Sequence, residues 1–356
     1  MLRSIFLTGF PGFIARNLVV RLQRKAPYAA FSFLVEERLR GAAEGALDSI
    51  GLKAELLTGD ITLPDLGLRG ETYQATSGRT THVWHLAALY DLAAPLARAY
   101  RVNVIGTANV LDFAERCPKL ERFDYVSTCY VCGIRTGRVL ESELDEGQSF
   151  KNHYESTKCW AEMEVRRRMH RIPATIYRPS IVVGDSKTGQ TEKYDGPYYV
   201  MQFLNRLPRW LPLVHIGPGC EANLVPVDFV VDAMAHVWTL PRSLGKTVHL
   251  ADPKPHSTRE VMSAMARALG FREPIGAVPL TAVQSLMKLS FARSWARVPA
   301  EALDYFDADV RFDTTHQRQL LEESDVTCPS FEVVLPALLR HFQQHPTKRF
   351  LDQRTF

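Results

Sequence analysis

The 356-residue chain lacks most of what would tie it to a membrane, an oxidising compartment or a nucleic acid. No apolar run approaches the ~18 residues that a membrane span requires, so no spanning segment is expected. The first apolar run follows one basic residue, Arg3, and flows into glycines without the small-residue cleavage site of a secretory signal. Six cysteines in this length make no disulfide framework, and a reducing, cytoplasmic setting is expected. Cys129 and Cys132 form a C-x-x-C, but no second such pair completes a zinc spacing. "HFQQH" places His341 and His345 four apart without the glutamate of H-E-x-x-H, which reads as a solvated helix end. No metal is therefore expected. Charge of one sign is also scarce, since 43 Lys and Arg against 39 Asp and Glu leave +4. The densest basic run, Arg166, Arg167 and Arg168, stands beside Glu162 and Glu164 at helical spacing. That reads as a solvated helix face, not a nucleic-acid stripe. There is no internal repeat, extended linker or polar low-complexity tract, and 46% apolar with 23% charged residues suits a globular chain.

What is present begins with "FLTGFPGFIARNL", residues 6–18. An apolar run at residues 5–7 reads as a buried strand, and Phe13, Ile14, Leu18, Val19 and Leu22 repeat at helical spacing. Strand, glycine turn and helix together bring backbone N–H groups and a helix N-terminus up to a phosphate. The same alternation continues. Strands are expected at residues 31–35, 54–61, 82–88, 122–128 and 174–178, with helical stretches to residue 48, over 94–116 and over 154–171. Apolar strands alternating with helices predict an α/β fold, a doubly wound parallel sheet covered on both faces. Ligands then sit beyond the carboxyl ends of the strands, which nominates Gly9 to Gly12, Asp60, Ala87, Ser127 and Pro179 as neighbours at one crevice. The alternation stops after Pro179. Residues 185–226 are rich in Gly, Pro and aromatics and are expected to cover a substrate.

Each strand end carries usable chemistry. Asp60 suits a hydrogen bond to an adenine amino group while Ile61 packs on the ring. Leu86, Ala87 and Ala88 offer small side chains where a backbone must approach a ligand. Asn103 is a polar residue on an otherwise apolar helix face. Ser127, Tyr154 and Lys158 carry most weight, because "YESTK" puts a phenol and an ammonium one helical turn apart on one face. A phenol of pKa about 10 is a poor acid–base group at neutral pH until a cation stabilises its anion. Lys158 can supply that charge. Ser127 can hold the substrate oxygen while Tyr154 gives or takes its proton.

From "TGFPGFIA" through "LTGDI", "HLAA", "VNVIGT", "YVST" and "YESTK" to "YRPS", the sequence resembles the extended short-chain dehydrogenase/reductases over about its first 180 residues. "YRPSIVVGDSKTG", "DGPYY", "NLVPVDFVVDA" and "FDTTHQRQLL" are similar to the thioester reductase and fatty acyl-CoA reductase branch. This resemblance implies a Rossmann-type nicotinamide-binding domain over residues 1–183 and a substrate-binding region with interleaved return strands over 184–356. It implies Gly9, Phe10, Pro11, Gly12, Phe13 and Ile14 around a pyrophosphate, and Pro179 and Ser180 flanking the nicotinamide. Tyr154 would be the acid–base residue, with Lys158 on the nicotinamide ribose, Ser127 on the carbonyl and Asn103 supporting the site.

The resemblance favours NADP(H), with Arg16 and Arg38 or Arg40 around a 2′-phosphate. Against it, Glu36 stands after the second strand, where a carboxylate favours the ribose diol of NAD(H). The implied substrate is lipid-like, an acyl thioester carried by CoA or a carrier protein, or a carbonyl. The apolar stretch at 198–216 with Trp210 is expected to wall an acyl pocket or to form ordinary core. A hydroxysteroid dehydrogenase, a sugar-nucleotide epimerase and a non-catalytic dinucleotide sensor are the alternatives.

Overall fold

Ser4–Thr8 (β1) is buried along its whole length, as a strand covered on both faces must be. A computed structural model describes residues 3–217, 219–287 and 309–346. Ala30–Val35 (β2), Glu55–Thr58 (β3), His82–His85 (β4), Arg122–Val126 (β5), Ala174–Pro179 (β6) and Thr247–Leu250 (β7) join it in one seven-stranded sheet. Every neighbouring pair is parallel, in the order β7-β6-β5-β4-β1-β2-β3. The order reverses direction at β1, between β2 and β4, which opens a crevice at the carboxyl ends of the strands. The expected doubly wound Rossmann-type sheet is therefore present, with its last strand supplied from beyond residue 184.

Phe13–Lys25 (α1) buries Leu18, Val19 and Leu22 against Val230 and Val231 of the helix Val227–Val237, over Trp84 and Tyr177 of the sheet. The helices Arg40–Ile50 (α2) and Gly70–Arg79 (α3) follow β2 and precede β4. On the opposite face, Gly106–Glu115 (α4) and His153–Arg168 (α5) cover Phe6, Phe123 and Tyr125 through Val110, Phe113 and Ala161. A second, smaller core joins Tyr198, Met201 and Leu204 of the helix Pro197–Leu204 to Val261 and Met265 of Thr258–Ala268 and to Leu335 and Leu338 of Phe331–Gln344.

Several expected elements are shorter than the sequence pattern suggests. β3 stops at Thr58, so Asp60 and Ile61 lie in a turn closed by Asp60 N–H donating to Leu66 O at 2.9 Å. β4 and β5 stop at His85 and Val126, which releases residues 86–88 and 127–128 into the crevice. The long helix over 94–116 is interrupted by a π-helical turn at Arg101–Ile105 that carries Asn103. His341, expected on a solvated helix end, is instead buried, its Cβ close against Gly189. The thiols of Cys129 and Cys132 are buried and free, and burial pushes both above their ordinary pKa, Cys132 to about 12. No helix among the described residues is long and apolar enough to cross a membrane.

Candidate active site

The glycine turn is built for close approach. Gly9 has φ +90°, and a Cβ there would sit 2.6 Å from Ala87 N, so a side chain would force apart the loops after β1 and β4. Gly12 N–H donates to Gly9 O at 2.9 Å, and a Cβ on Gly12 would lie 2.7 Å from that oxygen. α1 starts at once from Gly12 with no side-chain cap and no acid in its first turn. Its N-terminal N–H groups and positive dipole end therefore face the crevice without a competing carboxylate on the same helix.

A cleft of ≈ 1650 Å³ runs along the carboxyl ends of the strands. Gly9 to Ile14 and Arg16 form one wall, with Glu36, Asp60 and Ile61 toward β2 and β3. Leu86, Ala87 and Ala88 form the floor, and Ser127, Tyr154, Lys158, Pro179 and Ser180 the other wall. Of the residues nominated from sequence, Asn103, Arg38, Arg40 and Trp210 are not on its lining. Arg38 Nε instead donates to Glu36 Oε2 at 2.8 Å, and Arg40 pairs with Glu44 at 3.1 Å. Asp60 Oδ1 accepts Thr62 N–H at 2.7 Å. The turn after β3 is held against α4, where a Cβ on Gly106 would come 2.6 Å from Ile61 Cδ1.

Asn103 is buried beneath this surface. Its Oδ1 accepts Leu89 N–H at 2.8 Å, and its Nδ2 donates to Leu89 O at 3.3 Å and Thr157 Oγ1 at 3.0 Å. It thus ties the loop after β4 to α5, one residue from Lys158. The π-helical turn fits this use, because such turns inside α-helices are frequent at functional sites.

Ser127 and Thr128 divide differently from the sequence expectation. Ser127 Oγ donates to Glu162 Oε2 at 2.7 Å. Thr128 is the hydroxyl hydrogen-bonded to the Tyr154 phenol. Strand alternation explains the split: Ser127 continues the face of Tyr125, which is the face covered by α5 and its Glu162. That alternation is a signal the sequence contained. Glu162 is the larger correction, for it was assigned to a solvated helix face and is 0% exposed. Arg178, equally buried, donates to it through Nη2 at 2.7 Å and Nε at 3.0 Å. Burial works against the Glu162 charge, but the Arg178 guanidinium and its hydrogen bonds prevail and hold the carboxyl below its ordinary pKa.

Lys158 Nζ donates to Tyr125 OH at 2.9 Å and to Val126 O at 2.7 Å. Burial pushes its pKa down to about 7, against the opposing pull of Glu162. Burial raises the Tyr154 phenol above its ordinary pKa, and the Thr128 hydrogen bond offsets this only in part. The expectation that Lys158 acidifies the phenol is not met in this arrangement; Tyr154 holds its proton at neutral pH.

The stretch from residue 190 to 196 crosses the cleft. Glu192 forms an ion pair with Arg16 of α1. Lys193 Nζ lies 4.2 Å from the centre of the Tyr90 ring, and Asp195 is hydrogen-bonded to Tyr90. The Tyr90 ring stands edge-on to Tyr154 at 4.9 Å. Beyond this crossing the cleft wall is mostly apolar, with Tyr199, Val200, Leu224, Val261, Met262 and Phe342, and Gln202, Asn205, Arg206 and Thr258 add polar groups to it. Tyr198, Met201 and Leu204 on the other side of the same helix belong to the core. Trp210, expected to wall the pocket, is 77% exposed and does not line it. Among the described residues no group of three His, Cys, Asp or Glu side chains is placed to hold a metal ion.

Residues 7–234 match the sequence pattern of the male sterility protein family. The chain belongs to that family. It carries a nicotinamide-dependent oxidoreductase domain of the extended short-chain dehydrogenase/reductase type, in the thioester reductase and fatty acyl-CoA reductase-like branch. It is similar to the nonribosomal peptide synthetase FrzA of Cladobotryum sp, 29% identical over 309 residues, covering 78% of this chain and 28% of that one. Fatty acyl-CoA reductase 2 of Homo sapiens is 23% identical over 280 residues, covering 66% and 54%. The terminal R domain of the myxalamid biosynthetic pathway superposes with a TM-score of 0.82 at 26% identity, covering 98% of this chain and 92% of that one. The chain thus spans about a quarter of the peptide synthetase and about half of the acyl-CoA reductase. Male sterility family members bind a nicotinamide dinucleotide, and the uncapped α1 terminus, the bare glycine turn and the long cleft fit one.

Proposed function

We propose that this domain reduces an acyl thioester, or the aldehyde released from it, on a lipid-like chain delivered by CoA or a carrier protein. The observation that carries this reading is the Tyr154 phenol, held above its ordinary pKa by burial and hydrogen-bonded to Thr128, in a cleft that continues to Tyr199, Val200, Val261 and Met262. A nicotinamide dinucleotide, when bound, would supply the hydride that the carbonyl carbon takes up. Tyr154 gives its proton to the carbonyl oxygen as charge builds there, and the Thr128 hydroxyl holds that oxygen in line. Lys158, whose ammonium already donates to Tyr125 OH and Val126 O, would hold the nicotinamide ribose through its third N–H. With a thioester, the first reduction leaves a hemithioacetal, which loses thiol to give an aldehyde. Apolar walls favour long acyl chains, so activity on an acyl-CoA and aldehyde series, read at 340 nm, is expected to rise with chain length. Each buried methylene adds at most ~0.8 kcal/mol, so a few carbons separate substrates by about tenfold in kcat/KM. Turnover of UDP-sugars with no activity on any thioester or long-chain aldehyde overturns this reading in favour of an epimerase.

For the cofactor, the pairings favour NAD(H) over NADP(H). Glu36 lines the cleft and would meet the adenosine ribose diol, and the three arginines considered for a 2′-phosphate are paired with carboxylates, Arg38 with Glu36, Arg16 with Glu192 and Arg40 with Glu44. NADH is expected to bind tighter than NADPH by about tenfold, and Glu36→Arg to reverse the order, a difference of ~1–3 kcal/mol. Calorimetric titration of both dinucleotides checks this, and equal affinities in the native protein contradict it.

A further inference from the structure

Under the active site a string of buried polar side chains crosses the sheet, and the proposed chemistry uses only its end, Lys158. Lys158 Nζ meets Tyr125 OH at 2.9 Å. Tyr125 is hydrogen-bonded to Thr107. Thr107 Oγ1 meets His85 Nε2 at 2.9 Å, and His85 Nδ1 meets Thr8 Oγ1 at 2.7 Å. Thr8 Oγ1 accepts Ala87 N–H at 3.3 Å, at the edge of the glycine turn. His85 and Tyr125 are 0% exposed, and Thr8 and Thr107 are buried with them.

We propose that Tyr125, Thr107 and His85 are positioning residues for Lys158, holding its ammonium with one N–H directed into the cleft and coupling it to the glycine turn. This rests on the reading that Lys158 binds the cofactor. The proton count gives the string one direction. Thr107 Oγ1 has a single hydrogen and donates it to Asn103 O at 2.6 Å. Its oxygen must then accept from both Tyr125 and His85. Tyr125, having donated its proton, offers its oxygen to Lys158. Burial and the nearby Lys158 charge push the His85 pKa down to about 3, so the ring is neutral, carries its hydrogen on Nε2, and accepts from Thr8 on Nδ1. Every polar side-chain hydrogen from Thr8 to Tyr125 is then donated, within the string or to Asn103 O.

Lys158 consequently spends two N–H groups on Tyr125 OH and Val126 O in either charge state. As an ammonium it keeps a third for the cleft; as a neutral amine it offers a lone pair there instead. The groups facing it are Tyr125 and the Val126 carbonyl from β5, Glu162 and Tyr154 from α5, and His85 from β4. Tyr125 and Glu162 favour the charged form, while burial opposes it.

The test is the pH dependence of NADH affinity, with NADPH in parallel, from about pH 6 to 9 for the wild type and three variants. Wild-type affinity is expected to fall with rising pH through an inflection near the Lys158 pKa of about 7. Tyr125→Phe removes one acceptor from the ammonium, so the inflection should move down by about half a unit to one unit. At pH 7.5 affinity should then drop about threefold to tenfold. Thr107→Val should shift the inflection in the same direction by less, and it carries the test if Tyr125→Phe does not fold. Lys158→Met should abolish the inflection. If Lys158→Met leaves it in place, the cofactor-binding reading of Lys158 fails. If Lys158→Met abolishes it while Tyr125→Phe and Thr107→Val lower only the melting temperature, the positioning string alone is overturned.

Discussion

Tyr154→Phe is expected to lower kcat by about two to four orders of magnitude, the span of a positioned general acid. The substitution deletes one oxygen from a half-buried ring whose edge-on contact with Tyr90 is retained. Folding and dinucleotide affinity should therefore stay close to wild type, which separates a lost proton donor from a lost binding site. The sign of the pKa matters. Because burial holds the phenol above its ordinary pKa, the wild-type acid is protonated throughout the neutral range, and reduction needs that proton. Thr128→Val provides the companion measurement. Removing one donor from the carbonyl oxygen should cost about a hundredfold in kcat, whereas Ser127→Ala, which takes a hydroxyl from Glu162, should cost far less. Stopped-flow reduction of one aldehyde and one acyl-CoA gives all three values. If Tyr154→Phe keeps more than a tenth of wild-type turnover, the acid has been misassigned; if Ser127→Ala is the more damaging of the two hydroxyl variants, the oxygen-holding role returns to Ser127.

The largest effect on stability should come from Glu162→Ala. Arg178 has no exposed surface, so removing its carboxylate leaves a guanidinium buried without a counter-charge. Breaking such a pair from one side costs about 3–5 kcal/mol. Ser127 loses its acceptor in the same step, and Arg166 loses its i,i+4 partner. The control lies one half-turn away: Glu164 pairs with exposed Arg167, and Glu164→Ala should cost less than ~1 kcal/mol. Urea denaturation of both variants at neutral pH compares them, and similar midpoints would refute the buried-pair account. Linkage gives a second check. A carboxyl held below its ordinary pKa in the folded state contributes stability above about pH 4, and loses it as the pH falls through the folded value. The stability difference between wild type and Glu162→Ala should accordingly narrow in acid.

Apolar runs bounded by turn residues foretold the parallel sheet and its crevice, because each strand must be buried on both faces and each helix on one. The same local logic placed Tyr154 and Lys158 one turn apart on α5, and Gly9 and Gly12 at the head of α1. These are short-range facts, set by 3.6 residues per turn and by the room a glycine leaves. Tertiary structure decided the rest. Ser127 and Glu162 are 35 residues apart, and Thr8 and His85 are 77 apart. Helical spacing alone made Glu162 look solvated, since an acid beside arginines is usually at the surface; Arg178, arriving from a neighbouring strand, made it part of the core. Trp210 is apolar enough for a pocket wall, yet the face of its segment that meets the second core is Leu207, Leu211 and Leu213, and the indole is left outside. Sequence spacing says which side chains share a face of one element. Which element covers that face depends on how the sheet and helices stack, and that choice gave Thr128 to Tyr154, Glu162 to Ser127 and Tyr125 to Lys158.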